Sequence, residues 1–289
     1  MTTGTVANER DRHADWFHPC YSEEAHRQYA RMHLPVAPRC NVQCRFCNKK
    51  YDCVNETRPG VTSSILSAEQ ALVLVDRVVE SVPSLSVVGI AGPGDSLANE
   101  ETFETLRLVG ERHPDLALCL ATNGLLLPSK VEELIALGVK YVTVTVNALD
   151  PSIGSEIYSW IRHEGETLRG RDAFQTLSSR QWEGVHECVE QGIVVKVNSV
   201  LIPGVNENEL PRIAQRSRDV GVDVMNVIPF IPVHGSEFEN RTAPMRQDVE
   251  RVREDCNQFT RQITHCARCR ADAIGFLGCD QSSEFYRDM

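Results

Sequence analysis

Short β-branched apolar runs alternate with amphipathic stretches along most of this chain. Leu34–Ala37, Ser86–Ile90, Leu116–Ala121, Tyr141–Val146, Val194–Leu201 and Val224–Ile228 read as strands. Ala68–Ser81, Glu101–His113, Ser129–Leu137, Gln181–Glu190 and Glu209–Val220 read as helices between them. Tyr141–Val146 is apolar or β-branched nearly throughout, as in strands buried on both faces of a parallel sheet. Repeated β-then-α units predict an α/β fold built on a parallel barrel or part of one. Binding residues should then follow the strand C-termini.

The departures from this repeat divide the chain. Residues 1–33 form an expected N-terminal extension with a helical stretch near Ser22–Met32, 34–230 the barrel, and 231–289 a C-terminal extension. Residues 148–178 are a long charged insertion, expected to serve as a lid or docking surface. Residues 229–245 are punctuated by proline, and a helix around Arg246–Ile263 precedes a tail that carries cysteines.

A net charge of −10 argues against a nucleic-acid footprint. No run approaches the roughly 18 apolar residues needed to span a bilayer, and Met1–Arg12 is polar, so a cytoplasmic protein without a membrane partner is expected. Eleven cysteines in such a chain read as metal ligands or catalytic thiols rather than disulfides.

Cys40, Cys44 and Cys47 form C-x3-C-x2-C just after the first expected strand. Three thiolates so close together can grip three irons of a 4Fe–4S cube and leave the fourth open to a chelating molecule. Phe46 could shield one cube face. Zinc sites favour two separated C-x2-C pairs, and ferredoxin runs carry four cysteines. The spacing resembles the radical S-adenosylmethionine (SAM) superfamily, where the open iron binds the SAM amino and carboxylate groups. Gly92, Pro93, Gly94 and Asp95 follow the second expected strand in a tight turn, with Asp95 an acceptor for an ammonium group. They stand where that superfamily carries its GGE-like motif; an ordinary strand-to-helix turn is the bland alternative. Asn123, Asn147, Asn198, Ser199 and Ile228 lie at later strand ends and could hold the SAM carboxylate, ribose or adenine, or merely cap helices.

Other cysteines narrow the resemblance. The stretches His18–His26, Asn48–Val61, Gly89–Asp95, Lys196–Ser199, Ile202–Asn206 and Cys266–Ala273 resemble, in order, the NifB family of nitrogenase cofactor maturases. That resemblance implies a partial (βα)6 TIM-like barrel with one SAM-binding 4Fe–4S cluster and two further 4Fe–4S clusters as substrates. It implies a reaction that fuses the substrate clusters into an 8Fe core with a carbide taken from a SAM methyl group and one added sulfur. Cys20, Cys53 and Cys119 would hold one substrate cluster, with His18 the first choice and His13 the second for a histidine ligand. Cys266 and Cys269 would hold the other. Cys279 is left unassigned, and Cys188 and Cys256 read as small buried hydrophobes.

Glu56 and Arg58 could move protons or anchor cluster charge, or form a surface ion pair. Longer family members append a NifX-like carrier domain about where this chain ends, so a minimal enzyme is expected. Its implied partners are cluster donors, cofactor carriers or scaffolds of nitrogenase assembly, and an electron donor. Two alternatives stand beside this reading. Another radical SAM enzyme with auxiliary clusters should carry more C-terminal cysteines. A non-catalytic iron–sulfur scaffold leaves the open iron and the polar strand ends without a task.

Overall fold

A computed structural model describes residues 18–266 and 268–287. The first half runs α1 (Glu23–Gln28), β1 (Ala30–His33), β2 (Val42–Cys44), α2 (Ala68–Ser81), β3 (Leu85–Ile90), α3 (Glu100–Arg112), β4 (Ala117–Thr122), α4 (Val131–Ala136) and β5 (Val139–Thr145). An insertion follows: α5 (Pro151–Ile157), β6 (Tyr158–His163) and β7 (Glu166–Leu168). The chain continues through α6 (Gly170–Glu190), β8 (Val194–Leu201), α7 (Glu209–Asp219), β9 (Val224–Pro229), α8 (Arg246–Asn257), β10 (Ile274–Phe276), β11 (Cys279–Asp280) and α9 (Ser282–Phe285).

The main sheet has the order β11-β10-β1-β3-β4-β5-β8-β9. Strands β1, β3, β4, β5, β8 and β9 are mutually parallel, the six-stranded open barrel expected from the repeat. Strands β10 and β11 add to the β1 edge in antiparallel fashion.

The two faces of this sheet differ in chemistry. Met32, Val88, Ile90, Leu118, Leu120, Val142, Val144, Val195, Val197, Met225 and Val227 form one face of the main core, together with helical residues such as Leu74, Leu106 and Ile213. Strand side chains alternate, so Arg31, His33, Gly89, Cys119, Thr143, Lys196, Asn198 and Asn226 take the inner face. Register lines them up in rows: His33 pairs Gly89, Gly89 pairs Cys119, Thr143 pairs Lys196 and Asn198 pairs Asn226.

Several sequence expectations need correction. The first strand is Ala30–His33, inside the stretch read as helical, and Leu34–Ala37 forms no strand. Pro35 has no N–H to donate, and the ladder to β3 ends at the bond from Leu34 N–H to Gly89 O (2.9 Å). Ser22 caps the short α1, accepting from Ala25 N–H. The helix read from Gln181 begins eleven residues earlier, at Gly170. The charged insertion is structured: β6 pairs with β2 and with β7 in a separate three-stranded sheet. The helix after residue 245 ends at Asn257. No helix among the described residues is long and apolar enough to cross a membrane.

Candidate functional site

The cysteine loop after β1 is held from three sides. Strand β2 pairs with β6, and two flanking backbone bonds extend the contact: Arg45 N–H donates to Ile157 O (2.8 Å) and Arg162 N–H to Asn41 O (2.7 Å). Phe46 is fully buried and meets Phe230 edge-on with ring centroids 6.4 Å apart, so it anchors the loop in the core. The turn after β3 supplies the third hold. Gly94 N–H donates to Ala37 O (2.6 Å) and Asp95 N–H to Arg39 O (2.9 Å). A Cβ on Gly94 would overlap Arg39 C=O and lie 2.8 Å from Ala37 O. Gly92, before the cis Pro93, has φ +138°, a conformation that favours glycine.

Cys40, Cys44, Cys47 and Cys53 line one cavity with Asn55, Glu56, Gly94, Asp95, Thr122, Asn123 and Thr145. One amide touches two of the sulfurs: Asn55 Nδ2 is 3.7 Å from both Cys44 Sγ and Cys53 Sγ. Burial pushes the Cys40, Cys47 and Cys53 thiols up to about 12 and Cys44 also well up. They lose protons only to a partner that brings positive charge, and iron does so. Among the described residues no three His, Cys, Asp or Glu side chains gather where they could hold a single metal ion. Soft thiol donors gathered in one cavity suit an iron–sulfur cluster.

The residues expected to contact SAM divide. Asn123 lines the cavity, with Nδ2 donating to Asn41 Oδ1 (2.7 Å) and 3.9 Å from Cys40 Sγ. Asp95 also lines it, but its oxygens already accept from Asn123 N–H (2.6 Å), Thr122 Oγ1 (3.0 and 3.2 Å) and Leu97 N–H (3.1 Å). Burial raises its carboxyl to about 6 while those donors pull it down. Asn147 is fully buried and spent on structure, donating to Asn55 Oδ1 (3.2 Å) and Tyr158 Oη (3.1 Å) and accepting from Val200 N–H (2.8 Å). Ser199 donates to Val146 O, and Ile228 is buried; neither lines this cavity or the one beside it. Asn198 faces that neighbouring cavity.

The second cavity, open to the outside, is lined by Cys20, Cys119, Cys266 and Cys269. His18, His33, Glu56, Lys196, Asn198 and Asn226 complete its polar wall. The thiols come from both ends of the chain and from β4. His265 Nε2 donates to Pro19 O (2.9 Å) and Arg58 N–H to Cys269 O (3.0 Å), tying the tail down. Gly89 makes room: a Cβ there would lie 2.5 Å from Cys119 Sγ. Cys20 and Cys119 thus line one cavity with Cys266 and Cys269, while Cys53 lines the adjoining cavity of the Cys40 triad.

Two buried cations serve this cavity. Arg31 Nη2 donates to Cys269 Sγ (2.9 Å), and Lys196 Nζ stands 4.7 Å over the Tyr21 ring. Arg268 adds a third: Nη2 bonds Pro229 O (2.7 Å), while buried Nε and Nη1 have no hydrogen-bond partner. The histidines are unlike each other. His18 Nδ1 accepts from Cys20 N–H (3.1 Å), so its proton belongs on Nε2, which is buried without a partner. His33 Nδ1 lies 3.0 Å from Arg270 O and must donate to it, leaving the Nε2 lone pair available. Burial and Arg31 lower His33 to about 4, so it is neutral at pH 7. His13 lies outside the described residues. His33, Arg31, Lys196 and Asn55 were missed in the sequence; stepping by two from Asn198 would have put Lys196 on the same face. Cys188 and Cys256 are buried in the main core, and Cys279 is exposed on β11.

A sequence profile of the radical SAM superfamily matches residues 34–217. The chain is 50% identical over 273 residues to the FeMo cofactor biosynthesis protein NifB of Klebsiella pneumoniae, covering 93% of this chain and 58% of that protein. It is 46% identical over 268 residues to the protein of the same name from Chlorobaculum tepidum, covering 92% and 63%. Among solved structures, Streptococcus suis SuiB bound to S-adenosylmethionine superposes with a TM-score of 0.55 at 17% identity, over 76% of this chain and 45% of that one, a likeness of fold alone. With its open parallel barrel and three-cysteine loop, the chain belongs to the radical SAM superfamily, which implies a 4Fe–4S cluster and SAM. Within that superfamily it falls among the NifB homologues, and it spans 58–63% of the length of these two.

Gly94→Ala should cost about 1–3 kcal/mol through overpacking against Arg39. Chemical denaturation will read that loss, and iron content after reconstitution should fall with it because the cysteine loop is displaced.

Proposed function

We propose that this chain fuses two 4Fe–4S clusters, inserts a carbide drawn from a SAM methyl group and takes up one sulfur, giving the 8Fe precursor of the nitrogenase cofactor. The observation that carries this reading is the pairing of two thiol-lined cavities at one barrel mouth, with Glu56 and Ala121 lining both. Cys40, Cys44 and Cys47 would hold the resident cluster. When bound, that cluster and SAM supply a transferable methyl group and a hydrogen-abstracting radical.

The second cavity suits an anionic iron–sulfur substrate. Its four thiols are accompanied by Lys196, and Arg31 braces Cys269. Cys20 and Cys119, with the open lone pair of His33, would grip one substrate cluster, and Cys266 and Cys269 the other. Cys266 is exposed, as suits a ligand that must release its cargo. Handing the product on calls for carrier or scaffold proteins of nitrogenase assembly, and loading calls for cluster donors, all in the cytoplasm. Three clusters in all, one resident and two consumed, follow from this reading.

Glu56 is the proton acceptor between the cavities. Thr145 Oγ1 donates to Oε1 and Asn198 Nδ2 to Oε2 (2.7 Å), aiming the carboxylate along the shared wall. Burial raises its carboxyl to about 7, against the pull of Thr145, Lys196 and Asn198. A carboxylic acid whose proton leaves only near neutrality is matched to acid–base work at that pH. Arg268 lies within electrostatic reach of Cys266, Glu56 and Cys53, and its Nε and Nη1 have no hydrogen-bond partner.

Reconstituted protein incubated anaerobically with SAM and reductant should yield both 5′-deoxyadenosine and S-adenosylhomocysteine. If neither forms with all clusters loaded, the maturase reading fails and a storage scaffold takes its place. Product formation should decline as pH falls through about 7, because a protonated Glu56 cannot accept a proton. Glu56→Gln should lower product at least ~100-fold and remove that pH limb, while 5′-deoxyadenosine still appears. His33→Ala should erase nitrogen coupling from the pulsed electron paramagnetic resonance spectrum of the substrate cluster, whereas His18→Ala should keep it.

A further inference from the structure

The second cavity brings four thiols and a carboxylate together with a single fixed positive charge. Among the described residues that line it, Lys196 is the only lysine, and no arginine joins it. Arg31 is engaged elsewhere, donating to Cys269 Sγ (2.9 Å) and to Gly275 O. Burial holds both lining histidines, His18 and His33, below their ordinary range, so they are neutral at pH 7.

Lys196 stands on β8, on the inner face of the sheet, in register with Thr143 of β5. Thr143 Oγ1 lies 3.0 Å from Tyr21 Oη. The Tyr21 ring, 1% exposed, packs against His18 and Tyr141 with centroids 4.5 and 5.1 Å away. Lys196 rests on this fixed ring, with Nζ 4.7 Å from its centroid. A ring face attracts the charge of an ammonium group and leaves its three N–H donors unspent. Lys130–Glu133 is the one lysine salt bridge among the described residues, so no carboxylate takes up Lys196 at that distance. Cys20, Cys119 and Glu56 do lie within its electrostatic reach. Lysines are seldom buried without a partner, yet Lys196 is only 8% exposed. A charge so placed is stabilised by an anion that enters beside it.

We propose that Lys196 is a substrate-binding residue of the second cavity. Its ammonium group donates to sulfides of the iron–sulfur substrate and counters the negative charge that fusion concentrates there. The proposal rests on the reading that this cavity holds 4Fe–4S clusters as substrate. A carbide and a sulfide are both anions. At a fixed iron oxidation level the fused core is therefore more negative than the two cubes that form it. A fixed cation then favours the fused core more strongly than the separate cubes. Interactions that strengthen along a reaction are the ones that speed it.

The test uses the reconstituted protein, with a synthetic 4Fe–4S thiolate cluster as titrant. SAM alters the electron paramagnetic resonance signal of the resident cluster, so the signal that SAM leaves unchanged reports the second cavity. Lys196→Met keeps most of the stem and removes the charge, Lys196→Gln is a second neutral variant, and Lys196→Arg keeps the charge. Both neutral variants should need at least about 30-fold more titrant to reach half of that signal, the loss expected when one partner of a buried charge pair is removed. Their substrate clusters should also be reduced at a more negative potential, because a nearby cation favours the state with the extra electron. Lys196→Arg should load and be reduced like wild type. Wild-type loading and potential in a folded neutral variant overturn the proposal. Equal losses in Lys196→Arg and Lys196→Met also overturn it, since the side chain would then be a prop beneath Tyr21. If neither neutral variant melts cooperatively, Lys196 is a structural cation and the proposal falls as well. Failure of the substrate-cavity reading itself looks different: wild-type protein would show no SAM-insensitive signal at any amount of titrant.

Discussion

A parallel sheet must bury both faces, and here helices cover only one. The outer face takes the obvious solution, with Val88, Leu120, Val144 and Val197 packed beneath the helices. The inner face carries polar side chains instead, and cavities lined by thiols open onto it. Arg31 and His33 bond the C-terminal tail at Cys269, Gly275 and Arg270, and Asn198 bonds Glu56. The buried Arg31 guanidinium donates to the half-buried Cys269 sulfur and so fastens the tail to this face. The chemistry of this molecule follows from that uncovered face.

Division of labour between the cavities rests on small side chains. Gly94 lets the turn after β3 touch the backbone of the cysteine loop, and Gly89 leaves the gap that Cys119 fills. Asn147 contributes at one remove, holding Asn55, whose amide meets the sulfurs of Cys44 and Cys53. Asn147 lines neither cavity, and Gly89 offers the second one no side chain. They set distances, and in cluster chemistry distance decides which iron receives which ligand.

Much of this was legible in the sequence, for a physical reason. Strands β3, β4, β5, β8 and β9 announce themselves because their outer residues are apolar and β-branched. Strand β1 hides because Arg31 and His33 alternate with Ala30 and Met32, and because the apolar run after it is broken by Pro35. The insertion hides for another reason: β6 is stabilised by pairing with Val42–Cys44, more than a hundred residues away, which no local pattern records. The Cys40 triad was plain since its spacing is local. The company kept by Cys53 was not, because it depends on Asn55 and the long-range bond to Asn147. Asp95 was recognised at its place, but its saturation by Thr122, Asn123 and Leu97 is visible only in three dimensions.

The fastening of the tail to the start of the chain has a consequence for how the molecule is made. The triad belongs to one continuous loop, and the parts that hold it, β3, β6 and Phe230, all precede the tail. The second cavity needs Cys20 from the beginning, Cys119 from the middle, and Cys266 and Cys269 from the end. Contacts so distant along the chain form late in folding, and synthesis releases the tail last. Chain topology therefore imposes a calendar: the tool is finished before there is a bench on which to lay the work. A nascent chain without its tail lacks two of the four thiols that line the second cavity.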